Sequence, residues 1–411
     1  MMPEVLRRSW AIALLAAIGI ASALTADTLA MGAKSMRVLA PAQHHLAGAE
    51  AAIVSVLKNI AGDRIASAQS ELDRLLASNP NFRLAQLVKG DLLMARTRPL
   101  ETMGNMPGAP EDRVRDLRDE ARVRLLRLQT ETPRDRLPRY LLKLAPEQKY
   151  AIVVDTARSS LYLFENHDGT PKYVADYYIT IGKNGTGKAR EGDKRTPLGV
   201  YRVTASLPSN KLGALYGSGA FPISYPNEWD QRNGREGHGI WLHGTPRDTY
   251  SRPPRASDGC VVLTNEDLDN IARTLQTGVT PVIISGGVDW VGAEDLSSLR
   301  AGLESSVERW RRDWESNSPD NYLSHYAASF SSDATGLVEW AAQKRSVALG
   351  KTWIKVKLDG VSMFLYPGKE PLAVVNFTQD YQSNNLSNVM RKRQYWIRDG
   401  ERWKIAFEGS A

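Results

Sequence analysis

The sequence predicts a multidomain protein with an N-terminal α-helical region, a central mainly-β domain and a C-terminal α+β domain. Apolar residues recur at helical spacing from about residue 45 to 145 and at strand spacing from about 149 to 285. From about 296 to 410, helical spacing returns and is followed by a last series of strands. A chain of 411 residues is long enough for two or three such domains.

The first 30 residues have the order of a bacterial secretory signal. Arg7 and Arg8 precede an uncharged apolar stretch at 10–24, and small residues end it. This stretch is shorter than the ~20 residues that span a bilayer. We predict cleavage near Ala23 or Ala26, with an uncleaved inner-membrane anchor as the alternative. Both place the body of the protein in the periplasm.

Residues 45–145 are predicted to be helical. Gly62 and Asp63 break the first helical pattern, and Asn79 before Pro80 ends the second. The joint that follows resembles one tetratricopeptide unit, too few for a solenoid. Apolar residues in the last helix are surrounded by arginines and acids, which indicates a solvated face. We expect packing, docking or dimerisation here rather than chemistry.

The central region is predicted to be a β-sandwich or barrel-like domain. Short strands are separated by Gly and Pro turns, with little helix between them. The predicted strands are 151–155, 160–164, 173–181, 198–203, 240–242, 261–263 and 280–284, and a short helix is predicted at 266–275.

The C-terminal region is predicted to begin with three helices, at 299–314, 322–330 and 338–345. Five strands follow, at 352–356, 361–366, 372–381, 392–398 and 401–408, with a hairpin turn at Asp399 and Gly400. This order, ending QYWIRDGERWKIAFE, resembles the nuclear-transport-factor-2-like (NTF2-like) fold, which forms a cone-like pocket. The fold serves enzymes, binders and dimers alike, so it does not define a function. We expect binding or assembly, because no Asp–His pair stands out.

Residues 237–263 hold the best candidate for chemistry. They include the chain's only cysteine, Cys260, and His243. A thiol becomes a good nucleophile when a base such as imidazole takes its proton. Both residues adjoin apolar runs predicted to be strands, so neighbouring strands would bring them together at one end of a sheet. The alternative is that Cys260 is only a small buried hydrophobe. An idle thiol is a hazard outside the cytoplasm, however.

Several other chemistries are disfavoured. Residues 182–188 have the G-x-x-x-x-G-K spacing of a phosphate loop, but Ala189 replaces the magnesium-binding hydroxyl and no helix follows. A single cysteine excludes an internal disulfide and a thiolate-rich metal site, and we expect no metal or cofactor. The net charge of +7 is typical of a mildly basic surface or of attraction to a polyanion. Without a basic block or RNA-binding aromatics, we expect no nucleic-acid partner.

Three motifs resemble the L,D-transpeptidase catalytic (YkuD-type) family of cell-wall enzymes. They are TPLGVY at 196–201, His243 with Gly244, and the Ser257–Asp258–Gly259–Cys260 sequence, with 16 residues between His243 and Cys260. The resemblance covers about 150–285. The three-part layout also resembles the cell-shape L,D-carboxypeptidases of helical bacteria, which pair such a domain with a C-terminal NTF2-like domain.

The resemblance implies roles for four residues. Cys260 would attack the stem-peptide carbonyl between meso-diaminopimelate and D-Ala, and His243 would act as general base and acid. The backbone N–H of Cys260, together with that of Gly259, would stabilise the oxyanion. Ser257 would position the thiol or a polar group of the substrate.

Asp258 departs from the family pattern, which has histidine two residues before the cysteine. A carboxylate facing the thiolate would weaken the nucleophile. We therefore expect Asp258 to face Arg247, Arg252, Arg255 or the substrate's ammonium group.

Further candidates for substrate contact lie along the same stretch. His238, Gly244, Asp258 and Arg255 are expected to line the site, although a structural histidine is the alternative for His238. We assign Trp241 to the core, on the expectation that it faces away from His243. Aromatic residues of the insert 205–236 are predicted either to cover the substrate or to pack: Tyr216, Tyr225 and Trp229.

Three functions follow, in order of preference. The first is a peptidoglycan L,D-transpeptidase with an amine acceptor. The second is an L,D-carboxypeptidase or amidase that uses water, and the third is a non-catalytic wall-binding scaffold. The expected partners are peptidoglycan stem peptides, the membrane if the N-terminus is an anchor, and a second copy through the terminal domains.

Overall fold

A computed structural model describes residues 48–129, 135–333 and 335–411. The chain divides into two compact units, one of residues up to Thr130 together with Pro246–Pro254, the other of Glu131–Thr245 and Arg255–Ala411. The predicted export segment, residues 1–30, lies outside the described residues. Within the described ranges no helix is long and apolar enough to cross a membrane.

The first unit is helical, as predicted. Its core is formed by apolar residues at helical spacing, among them Ile53, Leu57, Leu72 and Val88. The second helix ends at Ser78, immediately before Asn79 and Pro80. The helices are α1 (Gly48–Ala61), α2 (Ile65–Ser78), α3 (Arg83–Met94) and α4 (Glu111–Gln129).

The segment Pro246–Pro254 packs within this helical unit. The rings of Tyr250 and Phe82 lie 4.6 Å apart. Ser251 Oγ donates to a carboxylate oxygen of buried Glu120 over 2.6 Å. The sequence did not predict this packing for a segment that lies between His243 and Cys260.

The second unit begins with the strands of the central, mainly-β region. Its strands are β1 (Leu137–Pro138), β2 (Leu141–Lys143), β3 (Tyr150–Asp155), β4 (Ser160–His167), β5 (Thr170–Tyr178), β6 (Ile181–Gly182), β7 (Gly199–Arg202), β8 (Leu207–Pro208), β9 (Gly219–Pro222), β10 (Trp241–His243), β11 (Arg255–Ser257), β12 (Val261–Val262) and β13 (Pro281–Ser285), with helices α5 (Glu228–Arg232) and α6 (Asn265–Ala272). Strands β3 to β13 form a five-stranded sheet of order β5-β4-β3-β13-β7, a four-stranded sheet of order β12-β10-β9-β8 and the pair β11-β6.

The second unit ends in an α+β domain, as predicted. Its elements are β14 (Trp290–Val291), α7 (Ala293–Glu315), α8 (Pro319–Leu323), β15 (Tyr326–Ser332), α9 (Leu337–Leu349), β16 (Ile354–Leu365), β17 (Leu372–Ser383), β18 (Leu386–Asp399) and β19 (Arg402–Ser410). The six-stranded sheet has the order β15-β19-β18-β17-β16-β2, so its edge strand β2 comes from the chain segment that precedes the central region.

Three expectations about these elements are wrong. The predicted helical region does not reach residue 145, because 137–138 and 141–143 are strands that pair with β14 and β16. The helix predicted at 322–330 ends at Leu323, and Tyr326–Ser332 pairs with β19 instead. Apolar residues at this spacing are compatible with a helix or a strand, and here pairing with β19 determines that the segment is a strand. The strands predicted at 352–356 and 361–366 are one strand, β16, with Gly360 at a positive φ in its middle.

The five-stranded sheet of the central region and the C-terminal domain share one apolar core, which includes Phe164, Phe364 and Trp396. Glu228 accepts two hydrogen bonds from Arg393, at 2.9 and 3.0 Å, and one from the Tyr395 hydroxyl at 2.9 Å. The two domains are therefore joined by polar as well as apolar contacts.

Candidate active site

The strands that carry the candidate histidine and cysteine are neighbours. β10 and β12 pair in parallel, with Leu242 opposite Val261 and His243 opposite Val262. Leu263 N–H donates to His243 O over 2.9 Å. Cys260 directly precedes β12, so both side chains belong to this part of the sheet.

His243 is held in one tautomer. Its side chain is buried, and Nδ1 lies 2.7 Å from the carbonyl oxygen of Gly244. A carbonyl only accepts hydrogen bonds, so Nδ1 carries the proton of the neutral ring and Nε2 keeps the lone pair. The Tyr216 ring packs against the imidazole in a T-shaped arrangement, with 5.1 Å between ring centroids. This arrangement prepares His243 to accept a proton at Nε2.

Cys260 follows a tight turn that fixes its main chain. The half-buried thiol donates to Gly239 O over 3.4 Å. Ser257 Oγ donates to Cys260 O over 2.6 Å and accepts from Gly259 N–H over 3.2 Å. Ser257 thus positions the main chain around the thiol. The Gly259 N–H, one of the two expected oxyanion donors, is engaged by Ser257 in this turn.

Gly259 occupies a conformation that few other residues adopt. Its φ is +128°, and a Cβ built there would lie 2.8 Å from Arg195 O. Its carbonyl oxygen accepts from the hydroxyl of Thr196 over 2.9 Å, and Thr196 is fully buried. The sequence singled out Thr196 only as part of a motif and missed this contact.

Gly244 has a packing role beside His243. A Cβ at this position would lie 2.1 Å from the side-chain oxygen of Asn265. Asn265 accepts from Ser218 N–H over 2.8 Å and donates to Thr245 O over 2.9 Å, tying two loops together. Asn265 was not found from the sequence, although its place at the start of a helix capped by Thr264 was a signal.

The remaining substrate-contact candidates are at the protein surface. Asp258 is exposed and lies 3.4 Å from Lys183 Nζ, a partner not predicted from the sequence. His238 is exposed, with Nδ1 3.6 Å from a carboxylate oxygen of Glu191. Arg255 is an exposed residue of β11. Asp258 and Arg255 add charged groups to the surface of this domain.

Residues 182–188, which have only the spacing of a phosphate loop, are held by hydrogen bonds to the residues that follow them. Lys188 Nζ donates to Arg190 O and to Asp193 Oδ1, each over 3.0 Å. Burial raises the pKa of the Asp193 carboxyl. Hydrogen bonds from backbone N–H groups, beginning with that of Ala189, and from the Lys188 ammonium lower it by more, so that the pKa is about 2. Asp193 therefore organises the segment that leads to Thr196.

Among the aromatic residues of the insert, Tyr216 contacts His243. Its ring also lies 4.8 Å from that of Trp241. The expectation that Trp241 faces away from His243 is wrong, because residues two apart in a strand share a face. Tyr225 is buried, and Trp229 stacks on Tyr395 at 5.4 Å.

The C-terminal domain contains a cavity of about 250 Å³. Buried Glu408 faces it, and although burial raises the pKa of this carboxyl, Lys392 and Lys344 lower it below its usual value. Gln379 is also buried, and among the described residues its side-chain oxygen has no hydrogen-bond partner. The aromatic wall is formed by Trp314, Tyr322 and Tyr381.

Comparison with known families agrees with these observations. Residues 149–284 match the family model of the L,D-transpeptidase catalytic domain, YkuD, and residues 302–409 match that of the Cds6 C-terminal NTF2-like domain. The chain carries a YkuD-type catalytic domain followed by an NTF2-like domain. Cys260 and His243 lie in the YkuD-type domain, which belongs to a family of peptidoglycan-modifying enzymes.

Two solved structures resemble the chain across most of their length. Bd1075 of Bdellovibrio bacteriovorus is 29% identical, with a TM-score of 0.60, and the match covers 67% of this chain and 98% of that one. The helical cell shape determining protein Pgp2 of Campylobacter jejuni is 26% identical, with a TM-score of 0.56, over 66% of this chain and 95% of that one. No curated protein matches the chain.

Proposed function

We propose that the YkuD-type domain is a cysteine-dependent enzyme that cleaves the bond between meso-diaminopimelate and D-Ala in peptidoglycan stem peptides through a thioester intermediate. The observation that carries this proposal is the parallel pairing of β10 and β12, with the Nδ1 of His243 anchored on Gly244 O. It provides a nucleophile immediately before one strand and an oriented base on the neighbouring strand.

The proposed reaction has two steps. Nε2 of His243 takes the thiol proton, and Cys260 Sγ attacks the carbonyl carbon of diaminopimelate. The tetrahedral oxyanion collapses to a thioester as His243 protonates the departing amine of D-Ala. An acceptor then attacks the thioester carbonyl and releases the thiol, which regains its proton.

We propose water as the acceptor, which makes the enzyme an L,D-carboxypeptidase. The sequence alone favours an amine acceptor and transpeptidation. The two-domain match to a protein that determines helical cell shape supports trimming instead, because the layout resembles cell-shape carboxypeptidases. Export through the N-terminal segment would bring the enzyme to its substrate in the periplasm.

The test is to incubate the purified protein with a defined disaccharide tetrapeptide and to follow the products by mass spectrometry. We expect the tripeptide and free D-Ala from the wild type, and neither from Cys260→Ala. Cross-linked dimers would identify a transpeptidase instead. If neither product forms, or if Cys260→Ala has full activity, the proposal of a cysteine-dependent enzyme is wrong.

A further inference from the structure

We propose that Thr196 is a positioning residue for catalysis, which aims the backbone N–H of Cys260 at the oxyanion by fixing the peptide plane between Gly259 and Cys260. Thr196 does not itself touch the substrate in this account. The inference rests on the proposed thioester chemistry, and it assigns a specific step to a residue outside the Cys–His pair.

The direction of the Thr196 hydroxyl is fixed by its two partners. Gly182 N–H donates to Thr196 Oγ1 over 2.9 Å, and Thr196 Oγ1 lies 2.9 Å from Gly259 O. A backbone N–H can only donate and a carbonyl can only accept. The single hydroxyl proton therefore points to Gly259 O, in a site where Thr196 is fully buried.

The geometry of the peptide bond carries this constraint to the reacting residue. The Gly259 carbonyl and the Cys260 N–H belong to one planar unit, and in the trans form they point in opposite directions. Holding Gly259 O against Thr196 therefore turns the Cys260 N–H away from Thr196. The direction of this N–H then depends on the hydrogen bond from Thr196, a residue 64 positions before Cys260 in the chain.

The same peptide is constrained from its other end. Ser257 Oγ holds Cys260 O, so the carbonyls on both sides of the Cys260 N–H are fixed. Close approach of Arg195 O to Gly259 leaves no room for a side chain there. Such preorganisation matters because a hydrogen-bond donor lowers the barrier only if it already points to the position where the negative charge develops.

Thr196 should contribute to one step of the reaction, the formation of the tetrahedral oxyanion. When Cys260 Sγ bonds to the carbonyl carbon, the π electrons of the C=O bond move to oxygen and create the oxyanion. The Cys260 N–H stabilises that charge until the C–N bond breaks. Reaction of the thiol with an alkyl halide forms no oxyanion, so Thr196 should not affect it.

This difference provides the experiment. In the purified full chain, Cys260 is acylated with p-nitrophenyl acetate and, in parallel, alkylated with iodoacetamide across the pH range. Thr196→Val should slow acylation about 10- to 100-fold. Its rate of alkylation and the pH profile of alkylation should stay within about twofold of the wild type. Thr196→Ser keeps the hydroxyl and should restore most of the acylation rate.

Thr204→Val is the matched control, because the Thr204 hydroxyl also donates to a backbone carbonyl, Pro222 O, at 3.1 Å, but is exposed. It should leave both rates unchanged. If Thr196→Val does not fold, Thr196→Ala is compared with Thr196→Ser in the same way. Equal acylation of the valine or alanine variant and the wild type would overturn the proposal, and so would an equal fall of acylation and alkylation.

The outcome is separable from the proposed function. Selective loss of acylation in Thr196→Val would support the positioning role even if the wild type released no D-Ala from a muropeptide. Conversely, D-Ala release by the wild type with unchanged acylation in the variant would uphold the proposed function and reject the role of Thr196.

Discussion

The Nδ1 of His243 lies 2.7 Å from the carbonyl oxygen of the next residue, Gly244. A histidine held by its own main chain needs no carboxylate to fix its tautomer. The buried ring is also packed against Tyr216, so its orientation is set before a substrate arrives.

Replacing His243 by alanine should abolish thioester formation while the fold is kept. Loss of a general base costs about 10²- to 10⁴-fold in rate. The yield of acyl-enzyme can be measured by intact-protein mass spectrometry. His167→Ala is the control, because His167 is an exposed histidine paired with Glu165. An unchanged yield in the His243 variant would refute its assignment as the base.

Replacing Gly259 by alanine should reduce both stability and activity. The positive φ and the approach of Arg195 O leave no unstrained position for a Cβ, and such strain costs about 1–3 kcal/mol. Thermal unfolding should show a lower Tm. Gly213→Ala is the control, since Gly213 has an ordinary φ and no atom within 4 Å of a built Cβ. Equal Tm values for the two variants would contradict this account.

The sequence predicted the parts of the site that depend on local pattern. Short apolar runs marked the strands beside His243 and Cys260, and β10 and β12 are indeed paired. Alternation along a strand also determines that Trp241 and His243 share a face, but we misjudged this spacing.

Contacts between distant segments were beyond the sequence. Two examples are the hydrogen bond from Thr196 to Gly259 O and the ion pair of Lys183 with Asp258. Both depend on how loops meet in space, which the periodicity of apolar residues does not encode. The strand Tyr326–Ser332 was missed for a related reason, because pairing with β19 outweighs its local pattern. The family resemblance pointed to the motifs but did not predict these contacts.

The Asp193 carboxyl should make the stability of the fold depend on pH in the acidic range. Its pKa falls from 3.8 to about 2 on folding. Its contribution is therefore complete above about pH 4 and is lost as the pH falls towards 2. Asp193→Asn should lower the Tm at pH 6, and its difference from the wild type should shrink at low pH. Asp320→Asn, at an exposed carboxylate, should differ little from the wild type. A constant difference for Asp193→Asn would contradict this role.

The contact of Glu228 with Arg393 and Tyr395 should stabilise the junction of the catalytic and C-terminal domains. Glu228→Gln removes the charge that these donors face, and we expect a loss of about 2 kcal/mol in the free energy of unfolding. Denaturant titration measures this. Glu304→Gln breaks a more exposed pair with Lys143 and should cost about 0.5 kcal/mol or less. Equal losses in the two variants would show that the junction does not depend on Glu228.

The central claim is that Cys260 carries the stem peptide as a thioester. The most direct measurement mixes the protein with a tetrapeptide substrate, quenches the reaction in acid and locates the adduct by peptide mass spectrometry. We expect Cys260 to gain the mass of the substrate less D-Ala, and Cys260→Ala to show no adduct. Release of D-Ala by the Cys260→Ala variant at the wild-type rate, or an adduct at another residue, would contradict the account.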